Sequence, residues 1–119
     1  MATIDLKTAE FDSTVADNDI VLVDFWASWC GPCRAFAPTF KASSEKNPDI
    51  FFGKVDTEAQ EALAAAAEIR AIPTLMAFKK GHLVFSQAGA LPPAALEDLI
   101  QQVRDLDVEA ALAEESTEV

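Results

Sequence analysis

The chain has 119 residues, of which 50% are hydrophobic and 24% are charged, a composition typical of a single soluble globular domain. Its formal net charge is −11, and residues 105–119 contain six acids and no base. This balance disfavours nucleic acid and anionic membranes as partners. No apolar stretch is long enough to cross a bilayer, and residues 1–7 lack the features of a secretory signal. We therefore expect a cytoplasmic protein.

Turn residues and hydrophobic periodicity predict alternating strands and helices. After a short first strand, the predicted elements are a helix over 8–16, a strand over 20–26, a helix from 31 to about 46, a strand over 50–56, a helix over 58–69, strands over 75–78 and 83–87, and a helix from Pro92. The first half suits parallel pairing, and the second half contains an antiparallel hairpin. The order predicts an α/β fold with a mixed sheet and helices on both faces.

Local sequence features give further expectations for the helices. Thr8 is a candidate N-cap of the first helix. Thr57 and Gln60 lie within a capping-box sequence that would start the Ala-rich helix over 58–69. Pro38 lies inside the second predicted helix and is expected to kink it.

The only two cysteines of the chain lie in the sequence Cys30-Gly31-Pro32-Cys33, between a predicted strand and a predicted helix. Unpaired backbone N–H groups and the helix dipole at such a helix N-terminus stabilise a thiolate. The thiolate is the form that attacks disulfides. The position of the pair therefore indicates dithiol–disulfide exchange.

Two other roles compete with this interpretation. A structural disulfide across so short a loop contributes only roughly 2 kcal/mol, and a cytosolic protein of this size does not need it. A zinc site normally has four ligands, and the chain offers the two thiolates and one histidine, His82. A zinc site shared between two chains stays open as an alternative.

The segment from Asp24 to Arg34 resembles the active-site signature of the thioredoxin family. Residues 72–75 are similar to the cis-proline segment of that family, residues 78–81 to its hairpin turn, and residues 88–90 to its third substrate-facing loop. The resemblance covers about residues 3–107. It implies the thioredoxin fold, in which four helices flank a central mixed five-stranded sheet.

The chain departs from the family pattern at three places. Ala71 stands where glycine is frequent, and Phe36 occupies a position that varies. The third departure is the acidic extension, which leads us to expect a domain over 1–107 and a tail over 108–119. The composition of this tail predicts a solvated and partly disordered segment.

The resemblance implies different roles for the two sulfurs. Cys30 is expected to be the solvent-accessible nucleophile of lower pKa, and Cys33, one helical turn further on, the buried resolving thiol. Gly31 and Pro32 are expected to tune the couple, since this dipeptide is the one found in reducing thioredoxins. The resemblance implies a reduction potential near the value of about −270 mV of reducing members of this family.

Asp24 is the polar residue of a strand that is otherwise apolar, where a carboxylate needs either a partner or a raised pKa. A place at a solvated strand end is one interpretation. The resemblance implies another, in which Asp24 is a buried acceptor for the proton of Cys33, through water. Lys54 on the neighbouring strand would then be its electrostatic partner.

The resemblance also implies a flat, weakly polar docking surface around the sulfurs. Pro73 is expected to be cis, so that the backbone N–H and C=O of Ile72 can pair with an extended substrate. An ordinary loop proline is the alternative. The expected members of the surface are Trp29, Gly31, Pro32, Ile72, Pro73, Gly89 and Ala90.

These expectations together predict a general protein disulfide reductase without a bound cofactor or metal. The resemblance implies that thioredoxin reductase re-reduces it with electrons from NADPH and that disulfide-containing client proteins are its partners. We expect a monomer. An oxidase or isomerase of the same fold is disfavoured by the Gly31-Pro32 dipeptide and the missing signal peptide. A binding module that uses the fold without its thiols is a third hypothesis.

Overall fold

The computed structural model of the chain describes residues 3–117. In chain order its elements are β1 Ile4–Asp5, α1 Thr8–Asp17, β2 Ile20–Trp26, α2 Gly31–Lys46, β3 Phe51–Asp56, α3 Glu61–Ala66, β4 Thr74–Lys79, β5 His82–Ala88, α4 Pro93–Asp105 and α5 Val108–Thr117. The strands form one sheet in the order β1-β3-β2-β4-β5. β3 is parallel to β1 and β2, whereas β4 is antiparallel to β2 and β5. The predicted mixed five-stranded sheet is confirmed.

The two faces of the sheet carry separate apolar cores. On one face, Leu22 of β2 belongs to a buried cluster that includes residues of α2 and α4. On the other face, Val23 belongs to a second cluster that includes Leu63 of α3, with Phe11 of α1 packed against it. Because side chains alternate along a strand, Asp24 points to the same face as Leu22. This is the face covered by α2, the helix that contains Cys33.

Hydrogen bonds connect α2 to α4, the two helices that cover this face of the sheet. The hydroxyl of Ser43 donates to one oxygen of the Glu97 carboxylate at 2.6 Å, and the side-chain amide of Asn47 donates to the other at 3.0 Å. Ser43 is 2% exposed and Asn47 is 8% exposed, so these hydrogen bonds satisfy polar groups that water does not reach. They hold the C-terminal end of the helix that presents the cysteines.

Two predicted helix starts were wrong. Thr8 is the first residue of α1 and not its cap, because its hydroxyl donates to Gln60 Oε1 at 2.8 Å. The capping box at Thr57 does not form either, since the Thr57 hydroxyl donates to the carbonyl of Trp26. The segment after β3 is a turn, in which an Asp56 oxygen accepts the backbone N–H of Glu58 at 2.9 Å, and α3 begins only at residue 61. The side chains of Thr8, Thr57 and Gln60, which the sequence predicted to cap helices, instead form hydrogen bonds with residues of other segments.

Helix α5 corrects the expectation of a partly disordered tail. The four expected flanking helices are α1 to α4, and α5 adds a fifth. Its start is fixed by an Asp107 oxygen, which accepts the backbone N–H of Ala110 at 3.0 Å, as an N-cap residue does. Val108 is only 5% exposed, so the first turn is anchored in the protein. The division at residue 107 stays a prediction.

Candidate redox site

Cys30 and Cys33 form a disulfide at the start of α2. Cys30 is the N-cap residue of the helix, and its Sγ accepts the backbone N–H of Cys33 at 3.2 Å. Pro32 lies in the first turn, where a residue without an N–H removes no helical hydrogen bond. The geometry therefore combines an amide donor and the positive end of a helix dipole at one sulfur.

Both cysteines are shielded in this disulfide-bonded state. Cys33 is 2% exposed, in line with the expectation of a buried sulfur. Cys30 was expected to be solvent-accessible, yet it is only 4% exposed. One reason is the loop that precedes β4, because the carbonyl oxygen of Ile72 lies 3.7 Å from Cys30 Sγ. A partner that reaches Cys30 Sγ must therefore also contact the loop that contains Ile72.

The cysteines and the histidine lie far apart in the fold. His82 is exposed and begins β5, opposite Lys79, at the end of the hairpin. The cysteines follow the other end of the sheet, after Trp26. Among residues 3–117, no group of three or more His, Cys, Asp or Glu side chains is arranged to hold a metal ion.

Asp24 is fully buried, and neither of its carboxylate oxygens has a hydrogen-bond partner within the described part of the chain. Burial raises its pKa to about 6, because the ionised form loses its hydration, while the positive charge of Lys54 acts in the opposite direction. The interpretation as a solvated strand end is therefore wrong. A buried carboxyl with a pKa of about 6 can exchange a proton near neutral pH.

Lys54 lies directly opposite Asp24 in the parallel pairing of β2 and β3. Its ammonium nitrogen is 4.7 Å from the centre of the Trp26 ring, which is a cation–π contact. The ion pairs within residues 3–117 join other residues, so Lys54 acts on Asp24 through space and not through a direct contact. The cation–π contact between Lys54 and Trp26 was not predicted, because it depends on the register of β2 and β3.

Three loops meet beside the disulfide. The Ile72–Pro73 peptide bond is cis, as expected, and the Pro73 carbonyl accepts the N–H of Gly89 at 2.7 Å. Gly89 has a φ of +101°, a conformation that favours glycine. Trp29 is 65% exposed and stands on the loop before Cys30. The sequence-predicted surface residues Gly31, Pro32, Gly89 and Ala90 are likewise exposed, whereas Ile72 is half-buried and Pro73 is buried.

Two polar contacts at this surface were not predicted. The indole Nε1–H of Trp29 donates to Glu58 Oε1 at 3.3 Å, and the guanidinium of Arg34 donates to the Ser28 carbonyl at 2.8 Å. Both contacts restrain the loop that leads into Cys30. The spacing of Arg34 from Cys30, one helical turn, is a signal that could have indicated its position. The sequence did not indicate the position of Glu58, because it predicted Glu58 to be part of the helix over 58–69.

The site combines a disulfide at a helix N-terminus, a cis-proline and a buried carboxyl. This combination is typical of proteins that carry out dithiol–disulfide exchange. The family model described as Thioredoxin matches residues 2–102. The chain therefore belongs to the thioredoxin family, and its activity is that of a protein disulfide oxidoreductase. None of the helices in the described part of the chain is long and apolar enough to cross a membrane.

Individual relatives agree with this family. A Streptomyces coelicolor protein described as "Putative thioredoxin 2" is 52% identical over 120 residues, which cover 98% of this chain and 90% of that protein. Thioredoxin-1 of Saccharomyces cerevisiae is 45% identical over 89 residues, covering 74% of this chain and 86% of that protein. The structure of a mutant thioredoxin from Halobacterium salinarum superposes with a TM-score of 0.82 at 36% identity, covering 89% of this chain and 94% of that one.

Proposed function

We propose that the protein is a general disulfide reductase in which Cys30 attacks and Cys33 resolves. The observation that carries this proposal is the N-cap position of Cys30, where Sγ accepts the Cys33 N–H at 3.2 Å. A thiolate at this sulfur gains from the same hydrogen bond and from the helix dipole. It displaces one sulfur of the substrate disulfide and forms a mixed disulfide, and the displaced sulfur leaves as a thiolate.

Resolution requires that Cys33 lose its proton. We assign the proton to the Asp24 carboxylate, which lies buried on the sheet face that α2 covers, with Lys54 as its electrostatic partner. The Cys33 thiolate then attacks the Cys30 sulfur and releases the second substrate thiol. The products are a substrate dithiol and the Cys30–Cys33 disulfide, so two electrons pass to the substrate.

Docking is assigned to Trp29, Gly31, Pro32, Ile72, Pro73, Gly89 and Ala90. Ile72 supports this assignment, because its carbonyl oxygen lies 3.7 Å from Cys30 Sγ, beside the reacting atom. Main-chain pairing with an extended substrate gives affinity without demanding one side chain, which suits many client proteins. The exposed Trp29 adds apolar area on the other side of the sulfur.

Reduction of the Cys30–Cys33 disulfide is assigned to a thioredoxin reductase that draws its two electrons from NADPH, with no cofactor bound to this chain. The Gly31-Pro32 dipeptide supports the reducing direction over the oxidase or isomerase direction. We further assign a cytoplasmic location, a monomeric state, a catalytic domain over 1–107 and an acidic appendage over 108–119.

The order of the two sulfurs is tested by trapping. Cys33→Ser keeps the attacking sulfur and removes the resolving one, so it is expected to accumulate a mixed disulfide with a disulfide-containing protein such as insulin. Cys30→Ser is the matched control and is expected to trap none. Mass spectrometry of the non-reduced products measures both. Trapping by Cys30→Ser alone would reverse the assignment.

A binding module is the competing function, and the double variant Cys30→Ser with Cys33→Ser separates it from a reductase. The double variant is expected to lose all NADPH-dependent reduction of insulin in the presence of thioredoxin reductase. Retention of the cellular function by the double variant, in a strain that depends on this protein, would favour the binding module.

A further inference from the structure

A surface groove lies between the β4–β5 hairpin and α5. Its volume is about 430 Å3, and Leu83, Val84, Leu106, Val108 and Leu112 are among its lining residues. Two of them are unusually accessible for large apolar side chains, with Leu83 53% exposed and Leu112 42% exposed. A contiguous apolar patch of this kind marks an interaction site, whereas a single exposed leucine does not.

Acidic residues flank the lining residues Leu106 and Val108 in the sequence. Asp105, Asp107 and Glu109 are exposed, and the sequence contains no base from residue 105 to the end. Lys80 lies 3.9 Å from Glu109 and offsets one of these three negative charges. The apolar lining of the groove therefore lies beside a segment of net negative charge.

We propose that this groove docks a basic, amphipathic segment of a partner protein. The apolar face of such a segment would cover Leu83 and Leu112, and its lysines or arginines would meet the acids between residues 105 and 109. Charge complementarity steers association and selects the partner. A second copy of this chain fits poorly, because its own net charge of −11 would repel the same acids.

The groove is separate from the redox site, and its α5 side lies outside the part shared with the family. Lys79 pairs with Ile20 at one end of β2, while the cysteines follow Trp26 at the other end, roughly 20 Å away along the strand. The α5 wall lies beyond residues 2–102, which the family model matches. A partner held at the groove could therefore present a disulfide to Cys30 at the same time, at a raised effective concentration.

The probe for the test is a fluorescent helical peptide with leucines on one face and lysines on the other, and its binding to the full chain is measured by anisotropy. Replacing both exposed leucines of the groove, Leu83→Gln with Leu112→Gln, is expected to weaken binding about tenfold or more. Ile4→Gln is the matched control, since Ile4 is 40% exposed on β1, and it is expected to bind like the wild type. Circular dichroism and insulin reduction check that each variant is folded.

Measurements on the wild type keep the proposal falsifiable if the double variant does not fold. Amide chemical shifts induced by the peptide are expected to cluster at residues 82–84 and 106–112, and a peptide with glutamates in place of lysines is expected not to bind. Shifts elsewhere, equal binding of a peptide without leucines, or equal binding by the double variant would overturn the proposal. A dimer that dissociates on Leu112→Gln would also overturn it, because a second copy would then be the occupant.

Discussion

At the scale of single residues, Asp24 is the group on which the proposed resolution step depends. The sequence alone indicated a carboxyl in an apolar strand, and the structure adds that it is fully buried without a hydrogen-bond partner within the described residues. Burial without a hydrogen-bond partner disfavours the ionised form of the Asp24 carboxyl. The burial that suits Asp24 to its proposed role as proton acceptor therefore costs folding stability.

The pH dependence of stability is expected to change in Asp24→Asn. Because burial raises the pKa of Asp24 from 3.8 to about 6, the folded state binds more protons than the unfolded state between these values. Stability is therefore lost as the pH rises from about 4 to above 6, by about 3 kcal/mol for this group. Urea unfolding of the disulfide-bonded protein at several pH values is expected to show this loss in the wild type and not in Asp24→Asn.

The control for this measurement is Asp12→Asn, which removes an exposed carboxyl on α1. It is expected to keep the wild-type slope of unfolding free energy against pH. An unchanged slope in Asp24→Asn would mean that this carboxyl is not the group that carries the pH dependence.

The same substitution tests the role of Asp24 in catalysis. Without a carboxylate to accept the Cys33 proton, resolution of the mixed disulfide is expected to slow by roughly 100-fold at neutral pH, the range of general-base effects. The initial attack by Cys30 does not use this proton and is expected to change little. Stopped-flow tryptophan fluorescence separates the two steps. Equal slowing of both would contradict the assignment of Asp24 as proton acceptor.

At the scale of elements, the strands, the strand-to-helix turn and the bounds of α2 were predictable, whereas the bounds of α3 were not. The range of β2 was predicted correctly, because an apolar, β-branched run decides it locally. The start of α3 was not, since Thr57 and Gln60 use their side chains in contacts with Trp26 and Thr8. Contacts between residues distant in sequence leave no local signal. For the same reason the sequence indicated the pair Asp24 and Lys54 only through a family resemblance.

The end of α4 is held by a further contact between residues distant in sequence. Lys79 of β4 is 7% exposed, and its ammonium group donates to the carbonyls of Val103, Arg104 and Leu106 at 2.8, 2.8 and 2.7 Å. A cation at the C-terminal end of a helix satisfies carbonyls that lack helical partners and interacts well with the dipole. Lys79 thereby ties the sheet to the point where the chain passes from α4 to α5.

Lys79→Met is expected to lower the unfolding free energy by about 3 kcal/mol, since buried carbonyls lose a charged donor while the apolar stem is kept. Lys80→Met is the matched control. Lys80 is exposed and its pairing with Glu109 spans 3.9 Å, so a change within about 0.5 kcal/mol is expected. Urea denaturation compares them. Equal losses in the two variants would show that the three contacts of Lys79 do not stabilise the fold.

At the scale of the whole molecule, the disulfide site lies within the residues that the family model matches, and α5 lies beyond them. The disulfide, Asp24 and the cis-proline all lie within the matched residues 2–102. Helix α5 packs beside the hairpin, at the other end of the sheet. Composition predicted the acidic character of this segment but not its helix, because the anchoring of Val108 is a tertiary contact.

Removal of residues 108–119 is expected to leave the redox chemistry intact and to lower stability. Val108 is 5% exposed, and the loss of its burial is expected to cost about 2 kcal/mol. Insulin reduction by the truncated protein is expected to stay within about twofold of the wild type. A large loss of activity in a truncated protein that still folds would contradict the division at residue 107.

The reduction potential of the Cys30–Cys33 couple decides whether this protein is a reductase. The protein would be equilibrated in dithiothreitol redox buffers and followed by tryptophan fluorescence, because Trp29 lies beside the disulfide in sequence. A potential near the value of about −270 mV known for thioredoxin itself is predicted, which would poise the couple to reduce cytosolic disulfides. A potential of about −180 mV or higher would contradict the account and would place the protein with the isomerases and oxidases of this fold.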